Sequence, residues 1–469
     1  DVLGSRGLGD VYKRQRLYND FAGFQKYFQD KKVLIVGMGI SNTPLIDLFL
    51  SFGVKVTVAD LTEKEEMKDI ISSYRAKGVH FQLGKDYLSD LSYDVIFKTP
   101  GMRYDTEELV RARKAGAVVT SEMEEFFKIC PAKIIAVTGS DGKTTTTTLI
   151  DLLLRKQGYT CHLGGNIGKP ILARIGEIKP EDYVVLELSS FQLHTMRQSP
   201  HIAVVTNVSP NHLDMHKDYQ EYIDAKKNIF RYQKPDDILV SNLENEVTRA
   251  FLQEAPGKTV SFSRKGRADI CLAGNEITVF GTPVLNIAKI KIPGMFNVEN
   301  FMAAIGAVYE QVDCDTIKKV AQSFGGVPHR CEFVREFNGV KFYNSSIDSS
   351  PNRTINTLKI FPAKKIVLIA GGKDKGIAYD EIGPAIAERV KTLVLIGKTA
   401  EKINEAVVKT GEKVDTVFAD SYENAVKTAY QSAKCGDVVL LSPASTSFDL
   451  FRNFEERGNL FQKLVNELR

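Results

Sequence analysis

The chain has 469 residues, of which 43% are hydrophobic and 26% charged, with a formal net charge of +4. The chain is longer than a typical domain with a single hydrophobic core, and its length predicts about three domains. No polybasic stripe is present, which argues against a nucleic-acid partner, and no apolar run approaches the roughly 20 residues that span a bilayer. The six cysteines are far apart and no secretory signal precedes them, so we expect reduced thiols in a cytoplasmic protein without membrane insertion.

Residues 1–16 show no apolar period and no initiator Met, so we expect a disordered or extraneous segment there. The first α/β unit then begins with a buried-strand pattern at 32–36, followed by Gly37-Met38-Gly39, a helical stretch to about Ser51 and a strand at 54–59 that ends at Asp60. An acid about twenty residues beyond the glycines is typical of a Rossmann half. Asn42 replaces the third glycine of that fingerprint, so NAD is not favoured.

A phosphate-binding loop is the most informative motif. Residues 134–137 form a buried-strand pattern, residues 146–154 a helical one, and glycine-rich residues 138–145 (TGSDGKTT) join them. Such a loop directs backbone N–H groups and a helix N-terminus at one point, where Lys143 supplies a cation and Thr144 an oxygen for Mg²⁺. Val137 replaces the first glycine of the full Walker pattern, so an ordinary glycine-rich loop is the alternative to ATP binding.

The remaining strand patterns predict an α/β fold of three domains. They lie at 95–97, ending in Thr99-Pro100-Gly101, at 183–186, ending in Glu187, and at 202–205, 366–370, 393–396 and 438–441. Strands that alternate with helical stretches favour parallel sheets covered by helices. We expect a Rossmann-like domain at 17–121, a central P-loop ATPase-type domain at 122–326 and a Rossmann-like C-terminal domain at 327–469.

Several motifs in a fixed order resemble the Mur ligases, the ATP-dependent amide-forming enzymes of peptidoglycan assembly. The resemblance covers the chain from about Lys31 onward. The last motif, at 441–458, resembles in particular the member that adds D-glutamate. The motifs are TGSDGKTT at 138–145, ELSSFQ at 187–192, NHLD at 211–214, NVEN at 297–300, PHR at 328–330 and LSPASTSFD at 441–449.

The resemblance implies a catalytic centre that converts a carboxylate to an acyl phosphate. Two Mg²⁺ ions are expected, since cations neutralise the charge on the transferring phosphoryl group. The implied catalytic residues are Lys143, Glu187, His212 and Lys226, and the implied metal ligands are Thr144, Glu187, His212 and Lys226, the last as a carbamate formed with CO₂. The alternatives are a satisfied strand-end carboxylate for Glu187, a structural loop residue for His212 and a solvated helix lysine for Lys226.

The resemblance also assigns the ATP site. Phe296 stands where the family usually has His, and Ser345 where it usually has Asp. The implied ATP-binding residues are Gly139, Ser140, Asp141, Gly142, Lys143, Thr144, Thr145, Asn300 and Arg330.

For the substrates, the resemblance implies UDP-N-acetylmuramoyl-L-alanine and D-glutamate. Lys373 competes with Lys375 as the cation for the D-glutamate carboxylate, and Asn166 also fits an ordinary turn. The implied nucleotide-sugar residues are Asp60, Thr99, Asn166, Ser189 and Gln192, and the implied D-glutamate residues are Ser349, Lys375, Ser447 and the backbone at Phe454.

Two other functions remain open at the sequence level. One is a Mur-type or folylpolyglutamate-type ligase with a different acceptor; no Asp-Asn-Pro-Arg run of the diamino-acid enzyme is present. The other is a non-catalytic P-loop ATPase that senses a nucleotide sugar. We expect the protein to be a monomer.

Overall fold

A computed structural model of the chain describes most of its residues. The described residues form two compact units, one from those up to Ile287 together with Val298–Val320, the other from Ala288–Asn297 together with Ala321–Arg469. No helix in these ranges is both long and apolar enough to cross a bilayer. Three predictions fall outside them: the segment 1–16, His212 and Lys375. The described ranges are 18–39, 42–61, 67–210, 215–374, 376–447 and 450–469.

The first sheet has five parallel strands in the order β3-β2-β1-β4-β5. The order reverses between β1 and β4, so the loops after these strands diverge and leave a crevice at their carboxyl ends. The predicted strands at 32–36, 54–59 and 95–97 are confirmed to within a residue. The elements are α1 (Phe21–Phe28), β1 (Lys32–Val36), α2 (Thr43–Ser51), β2 (Lys55–Asp60), α3 (Lys68–Ala76), β3 (His80–Leu83), β4 (Val95–Phe97), α4 (Glu107–Lys114) and β5 (Val118–Thr120).

Helix α1 was not predicted from the sequence. Asp20 caps it by accepting a hydrogen bond from the Gly23 N–H at 2.7 Å. Its buried Phe24 packs against Phe49 of α2, with ring centroids 6.0 Å apart, and Phe28 packs against Phe97 of β4 at 5.9 Å. An aromatic cluster therefore attaches this helix to the sheet.

The second sheet has nine strands in the order β14-β13-β12-β11-β10-β9-β6-β8-β7. The pairs from β7 to β12 are parallel, and β12, β13 and β14 form antiparallel pairs. The elements are α5 (Glu122–Ile129), β6 (Lys133–Thr138), α6 (Lys143–Gln157), β7 (Cys161–Gly165), a 3₁₀ helix (Leu172–Glu177), β8 (Tyr183–Glu187), α7 (Ser190–Leu193), β9 (Ile202–Val205), α8 (Tyr219–Lys227), β10 (Ile238–Asn242), α9 (Glu246–Glu254), β11 (Lys258–Ser263), β12 (Ile270–Ala273), β13 (Glu276–Val279), β14 (Thr282–Asn286), a short 3₁₀ helix (Ile287–Lys289), α10 (Met295–Val308) and α11 (Cys314–Ser323).

The third sheet has six strands in the order β15-β16-β20-β17-β18-β19 and lies in the second unit. Only β15 and β16 pair in antiparallel fashion. Its central strand β17 is buried on both faces, which explains its uninterrupted apolar sequence. The elements are β15 (Glu332–Phe337), β16 (Val340–Asn344), α12 (Pro351–Leu358), β17 (Ile366–Ala370), α13 (Ile382–Arg389), β18 (Val390–Leu395), α14 (Ala400–Val408), β19 (Asp415–Phe418), α15 (Tyr422–Ser432), β20 (Val438–Leu441) and α16 (Phe454–Glu467).

Candidate active site

The phosphate-binding loop joins β6 to the N-terminus of α6, in the strand–loop–helix order that the sequence predicts. Two of its glycines are required by their surroundings. Gly139 has φ +153°, and a Cβ there would lie 1.9 Å from the Thr206 hydroxyl. Gly142 has φ +78°, and a Cβ there would lie 2.3 Å from the Asn300 side-chain oxygen. The loop is therefore packed closely, with its backbone at the start of a 15-residue helix.

Neighbouring loops hold the phosphate loop in place. The Ser140 hydroxyl donates to the Ser209 carbonyl at 2.9 Å and lies 2.9 Å from the Tyr222 hydroxyl. The Asp141 N–H donates to the Asn207 side chain at 3.0 Å. These contacts come from the segment after β9 and from α8, so a phosphate-binding conformation can exist before ATP arrives.

Lys143, the first residue of α6, folds back over the loop. Its ammonium donates to the carbonyls of Gly139 at 3.0 Å and Ser140 at 2.9 Å. Thr144 and Thr145 follow in the first helical turn and are half-buried. This places a cation and two hydroxyl-bearing residues beside the loop N–H groups, which is the equipment of a site for nucleotide phosphates.

Lys226 on α8 reaches the same loop from the other side. Its side chain is only 1% exposed, and its Nζ donates to the Gly139 carbonyl at 2.8 Å and the Thr138 hydroxyl at 3.3 Å. The Tyr222 ring centroid lies 4.6 Å from Nζ. Burial, reinforced by the Lys143 ammonium, holds the pKa of the Lys226 amine well below its usual range. The alternative of a solvated helix lysine is therefore wrong.

Glu187 ends β8 beside the phosphate loop and is 2% exposed. One carboxylate oxygen, Oε1, accepts a hydrogen bond from the Asn166 side-chain amide at 2.7 Å. The other, Oε2, is buried without a hydrogen-bond partner among the residues that the structure describes. Because a buried anionic oxygen is costly without a partner, its chemistry fits a bound cation such as Mg²⁺.

No group of three or more His, Cys, Asp or Glu side chains with metal-site geometry occurs in the described ranges. Two of the predicted metal ligands, Thr144 and Lys226, are not His, Cys, Asp or Glu. A third, His212, lies outside the described residues. Glu187 is the predicted metal ligand that has a carboxylate and lies within the described residues.

Asn300 on α10 meets the phosphate-loop helix. Its side-chain oxygen accepts a hydrogen bond from the Thr146 hydroxyl at 3.3 Å, and it approaches Gly142 as described above. Arg330, the other predicted ATP-binding residue outside the phosphate loop, is exposed in the second unit. There Ser345 is buried and accepts a hydrogen bond from the Cys331 N–H at 3.1 Å, so this residue has a structural role where the family usually has Asp.

Two predicted nucleotide-sugar residues lie at the carboxyl edge of the first sheet. The Asp60 carboxylate accepts a hydrogen bond from the Met38 N–H at 2.7 Å, which joins the ends of β2 and β1. Thr99, just after β4, packs against Gly37, where a Cβ would lie 3.3 Å from the Thr99 Cβ. Both residues therefore border the crevice between β1 and β4.

Ser189 and Gln192 begin helix α7 as a capping box. The Gln192 N–H donates to the Ser189 hydroxyl at 3.2 Å, and the Ser189 N–H donates to the Gln192 side-chain oxygen at 2.9 Å. Asn166, also predicted to bind the sugar nucleotide, joins this region through its N–H, which donates to the Glu187 carbonyl at 2.7 Å. Three predicted substrate residues thus surround the end of β8.

In the second unit, Ser349, Ser447 and Phe454 lie on segments that one buried arginine connects. Arg457 of α16 is fully buried and donates to the Ser346 carbonyl at 2.7 Å, the Ser346 hydroxyl at 3.0 Å and the Ser445 carbonyl at 3.0 Å. The Phe454 carbonyl accepts from the Ser346 hydroxyl at 2.8 Å. Arg457 was not among the predicted site residues. Its position in the motif at 441–458 indicated a link to the site, but its burial results from tertiary contacts that the motif does not show.

These features define an α/β nucleotide-binding protein whose phosphate loop faces a buried lysine and a buried carboxylate. Family models match three parts of this chain between residues 31 and 445. They are described as "Mur ligase MurD-like, N-terminal domain" for residues 31–121, "Mur ligase middle domain" for 137–308 and "Mur ligase, glutamate ligase domain" for 329–445.

Curated relatives agree with these matches. A UDP-N-acetylmuramoylalanine–D-glutamate ligase from Acetivibrio thermocellus is 54% identical over 95% of this chain and 98% of its own length. Ligases of the same name from Ruminiclostridium cellulolyticum and Clostridium perfringens are 51% and 48% identical, each over 96% of this chain and over 100% and 99% of their own lengths. The chain belongs to the Mur ligase family.

Solved structures of the same fold include more distant members. A UDP-N-acetylmuramate-alanine ligase from Thermotoga maritima aligns with a TM-score of 0.58 at 20% identity, covering 93% of this chain and 99% of that one. A UDP-N-acetylmuramoyl-L-alanyl-D-glutamate–2,6-diaminopimelate ligase aligns with a TM-score of 0.53 at 20% identity, covering 87% and 86%. At this identity the likeness concerns the fold alone.

Proposed function

We propose that this chain is the ATP-dependent ligase that joins D-glutamate to UDP-N-acetylmuramoyl-L-alanine in the synthesis of peptidoglycan precursors. The observation that carries the proposal is the set of relatives of that name, up to 54% identical over nearly the whole of both chains. The structure supports it with a phosphate loop, a buried carboxylate and separate sheets whose edges hold the predicted substrate residues.

The reaction requires activation of a poor electrophile. A carboxylate oxygen of the L-alanyl group attacks the γ-phosphorus of ATP and ADP leaves, which forms an acyl phosphate. The amine of D-glutamate then attacks the acyl carbon, phosphate leaves and the amine gives up a proton. Lys143 and the loop N–H groups would stabilise the charge that develops on the transferring phosphoryl group.

We propose two Mg²⁺ ions at the site. Thr144 and Glu187 would hold one, and His212 and a modified Lys226 would take part in holding the second. Bound Mg²⁺ supplies charge neutralisation and orientation for the phosphoryl oxygens. The support from this chain is the buried Glu187 oxygen described above, since it has the ligand chemistry that Mg²⁺ prefers.

We propose that Lys226 carries a carbamate. An amine must be neutral to attack CO₂, and the burial of Lys226 next to a second ammonium favours the neutral form. The new N–C bond converts the amine into a carbamate anion with release of one proton. The product replaces a cation near the metal ions with an anionic oxygen ligand.

We propose separate sites for the two substrates. The sugar nucleotide would bind at the edge that carries Asp60 and Thr99 and extend toward Asn166, Ser189 and Gln192. D-glutamate would bind in the second unit at Ser349, Lys375, Ser447 and the Phe454 backbone, and Arg330 would contribute to the ATP site. We also propose a cytoplasmic monomer; all six cysteines are free thiols, as in a reducing compartment.

The proposal is tested by ADP release with UDP-N-acetylmuramoyl-L-alanine and a panel of amino acids. We expect release that depends on the carboxylate substrate and the amine together, with D-glutamate as the preferred amine. Equal activity with L-glutamate or L-alanine would contradict the proposed acceptor. ATP hydrolysis that needs neither substrate would favour the sensing ATPase.

A further inference from the structure

The guanidinium group of Arg103 is saturated with hydrogen bonds. An arginine has five N–H donors, and Arg103 donates five hydrogen bonds. Nε and Nη2 donate to the two oxygens of Asp105 at 2.8 and 2.9 Å, and Nη1 and Nη2 donate to the two oxygens of Glu221 at 3.0 Å each. The second Nη1 hydrogen goes to the Met215 carbonyl at 2.7 Å.

These bonds connect two sheets within the first unit. Arg103 follows β4, in the segment that begins with Thr99 at the crevice of the first sheet. Glu221 lies in the first turn of α8, the helix that carries Lys226 to the phosphate loop. Met215 comes directly after the motif at 211–214 in the chain. One side chain thus joins the segment after β4 to helix α8 and to Met215.

The hydrogen-bond network of Glu221 continues to residues 189–192, which include the predicted substrate residues Ser189 and Gln192. The Glu221 carboxylate also accepts a hydrogen bond from the Lys217 N–H at 2.7 Å and lies 3.5 Å from Nδ1 of His216. The other ring nitrogen of His216 is 3.0 Å from the Ser190 hydroxyl, and its ring stacks on Phe191 with centroids 5.4 Å apart. Ser190 and Phe191 lie between Ser189 and Gln192.

This arrangement differs from an ordinary surface ion pair. Exposed pairs with one flexible contact contribute little, whereas a guanidinium that bonds both oxygens of a carboxylate fixes a direction as well as a distance. The side chains of Arg103 and Glu221 are 27% and 16% exposed. The Arg103 guanidinium lowers the pKa of Glu221 to about 2, so the pair stays ionised throughout the neutral range.

We propose that Arg103 and Glu221 form a positioning pair that aligns the sugar-nucleotide crevice with the phosphate loop. The inference rests on the proposed binding of UDP-N-acetylmuramoyl-L-alanine at the first sheet. A substrate held there must present its carboxylate to a phosphoryl group held by the second sheet. Misplacement of reacting groups by about 1 Å can cost on the order of 10²-fold in rate. The pair acts through the segments it joins and has no proposed contact with the reacting atoms.

The test uses the full-length enzyme and the variants Arg103→Ala, Arg103→Lys, Glu221→Gln and Arg103→Ala/Glu221→Gln. Arg111→Ala, an exposed arginine on α4, is the matched control. We expect Arg103→Ala to lower kcat at least about tenfold and to raise KM for the UDP-muramoyl substrate, with KM for ATP changed less than twofold. Arg103→Lys should restore little activity, because lysine lacks the planar guanidinium that bonds both oxygens of a carboxylate. The double variant should lose little more activity than the less active of the two single variants.

Two outcomes would overturn the inference. One is kinetic constants of Arg103→Ala within twofold of those of Arg111→Ala. The other is a fall in kcat with every KM unchanged and a lower melting temperature, which reports loss of folded enzyme. Asn166→Ala separates this failure from failure of the proposed substrate site. If it raises KM for the UDP-muramoyl substrate while Arg103→Ala does not, the site stands and the positioning pair does not.

Discussion

Lys226 and Lys227 are adjacent residues with opposite surroundings. Lys226 is buried against the phosphate loop, while the Lys227 ammonium pairs with Glu254 at 2.8 Å. Successive positions on a helix point about 100° apart, so Lys226 can face the phosphate loop while its neighbour forms a salt bridge elsewhere. The pair provides a matched comparison within one helical turn.

The comparison tests the carbamate. We predict that Lys226→Ala lowers kcat on the order of 10²-fold or more, because the site loses an anionic oxygen ligand. Formate or acetate should restore part of the activity by occupying the vacated position. Lys227→Ala should stay within about twofold in kcat, since the Lys227 ammonium pairs with Glu254 rather than with the phosphate loop. The measurement is kcat of both variants with and without added carboxylate, and a fully active Lys226→Ala enzyme would rule out the carbamate.

Lys143 is the second residue with a direct prediction. Lys143→Ala should lower kcat on the order of 10²–10³-fold, because the transferring phosphoryl group loses one preorganised cation. Lys156→Ala, an exposed lysine farther along α6, serves as the control. Steady-state rates, with circular dichroism to verify folding, are sufficient. A Lys143→Ala enzyme within tenfold of the parent would show that the ATP site is assigned wrongly.

At the scale of elements, helix α5 is tied to the 3₁₀ helix at Leu172–Glu177 by a buried carboxyl group. A single oxygen of Glu122, Oε1, accepts hydrogen bonds from the N–H groups of Ile171 and Leu172 at 2.9 and 2.8 Å. Burial raises the pKa of Glu122 to about 7, in spite of these two bonds. The other oxygen can carry a proton without loss of either bond, so the protonated form fits the folded state.

This pKa predicts a pH dependence of stability. Because the folded-state pKa lies above the unfolded value of about 4.3, the contribution of Glu122 is complete below pH ~4.3 and is lost as the pH rises toward 7. Glu122→Gln keeps the accepting oxygen and removes the titration. Its stability relative to the parent should therefore increase from pH 5 to pH 7, by on the order of 1 kcal/mol for each pH unit.

The measurement is the melting temperature of both proteins between pH 5 and pH 8. Glu107→Gln, an exposed residue in the first turn of α4, is the control for a change of charge alone. A difference between Glu122→Gln and the parent that does not vary with pH, or that varies as in the control, would contradict the raised pKa.

Helix α16 is fixed to the rest of the second unit by Arg457. We predict that Arg457→Ala lowers the free energy of unfolding by about 3–5 kcal/mol, because the buried acceptors on Ser346 and Ser445 lose a charged donor and a cavity forms. Since these residues neighbour Ser447 and Phe454, KM for D-glutamate should rise more than KM for ATP. Denaturant unfolding and steady-state kinetics test both effects, with the exposed Arg452→Ala as control. Equal stability of the two variants would contradict the prediction.

At the scale of the whole molecule, local patterns predicted the parts of the fold that are locally determined. The strands at 32–36, 202–205, 366–370 and 438–441 consist of apolar residues apart from Lys32, and the structure confirms them. The phosphate loop was visible for the same reason, because its glycines and its lysine are contiguous in the chain. Helix α1 and strands β3, β5, β7, β10 to β16 and β19 were not predicted.

The features that sequence reasoning missed depend on distant pairings. Arg103 and Glu221 are 118 residues apart, and Arg457 and Ser346 are 111 apart. Arg103 lies outside the motifs, and the motif that contains Arg457 does not show that its side chain is buried. The burial of Lys226 likewise arises from a loop 87 residues earlier. Side-chain networks of this kind form because the fold brings distant residues together. Local patterns in a single sequence do not show which distant residues will meet.

The central claim, amide formation through an acyl phosphate with D-glutamate as acceptor, is tested most directly by isotope transfer. UDP-N-acetylmuramoyl-L-alanine labelled with ¹⁸O in its carboxylate is incubated with ATP, Mg²⁺, D-glutamate and the full-length enzyme, and the products are examined by mass spectrometry. The account predicts a product heavier by one glutamyl residue and one ¹⁸O atom in the phosphate released at each turnover. Phosphate without the label, or ADP release without the glutamyl product, would contradict it.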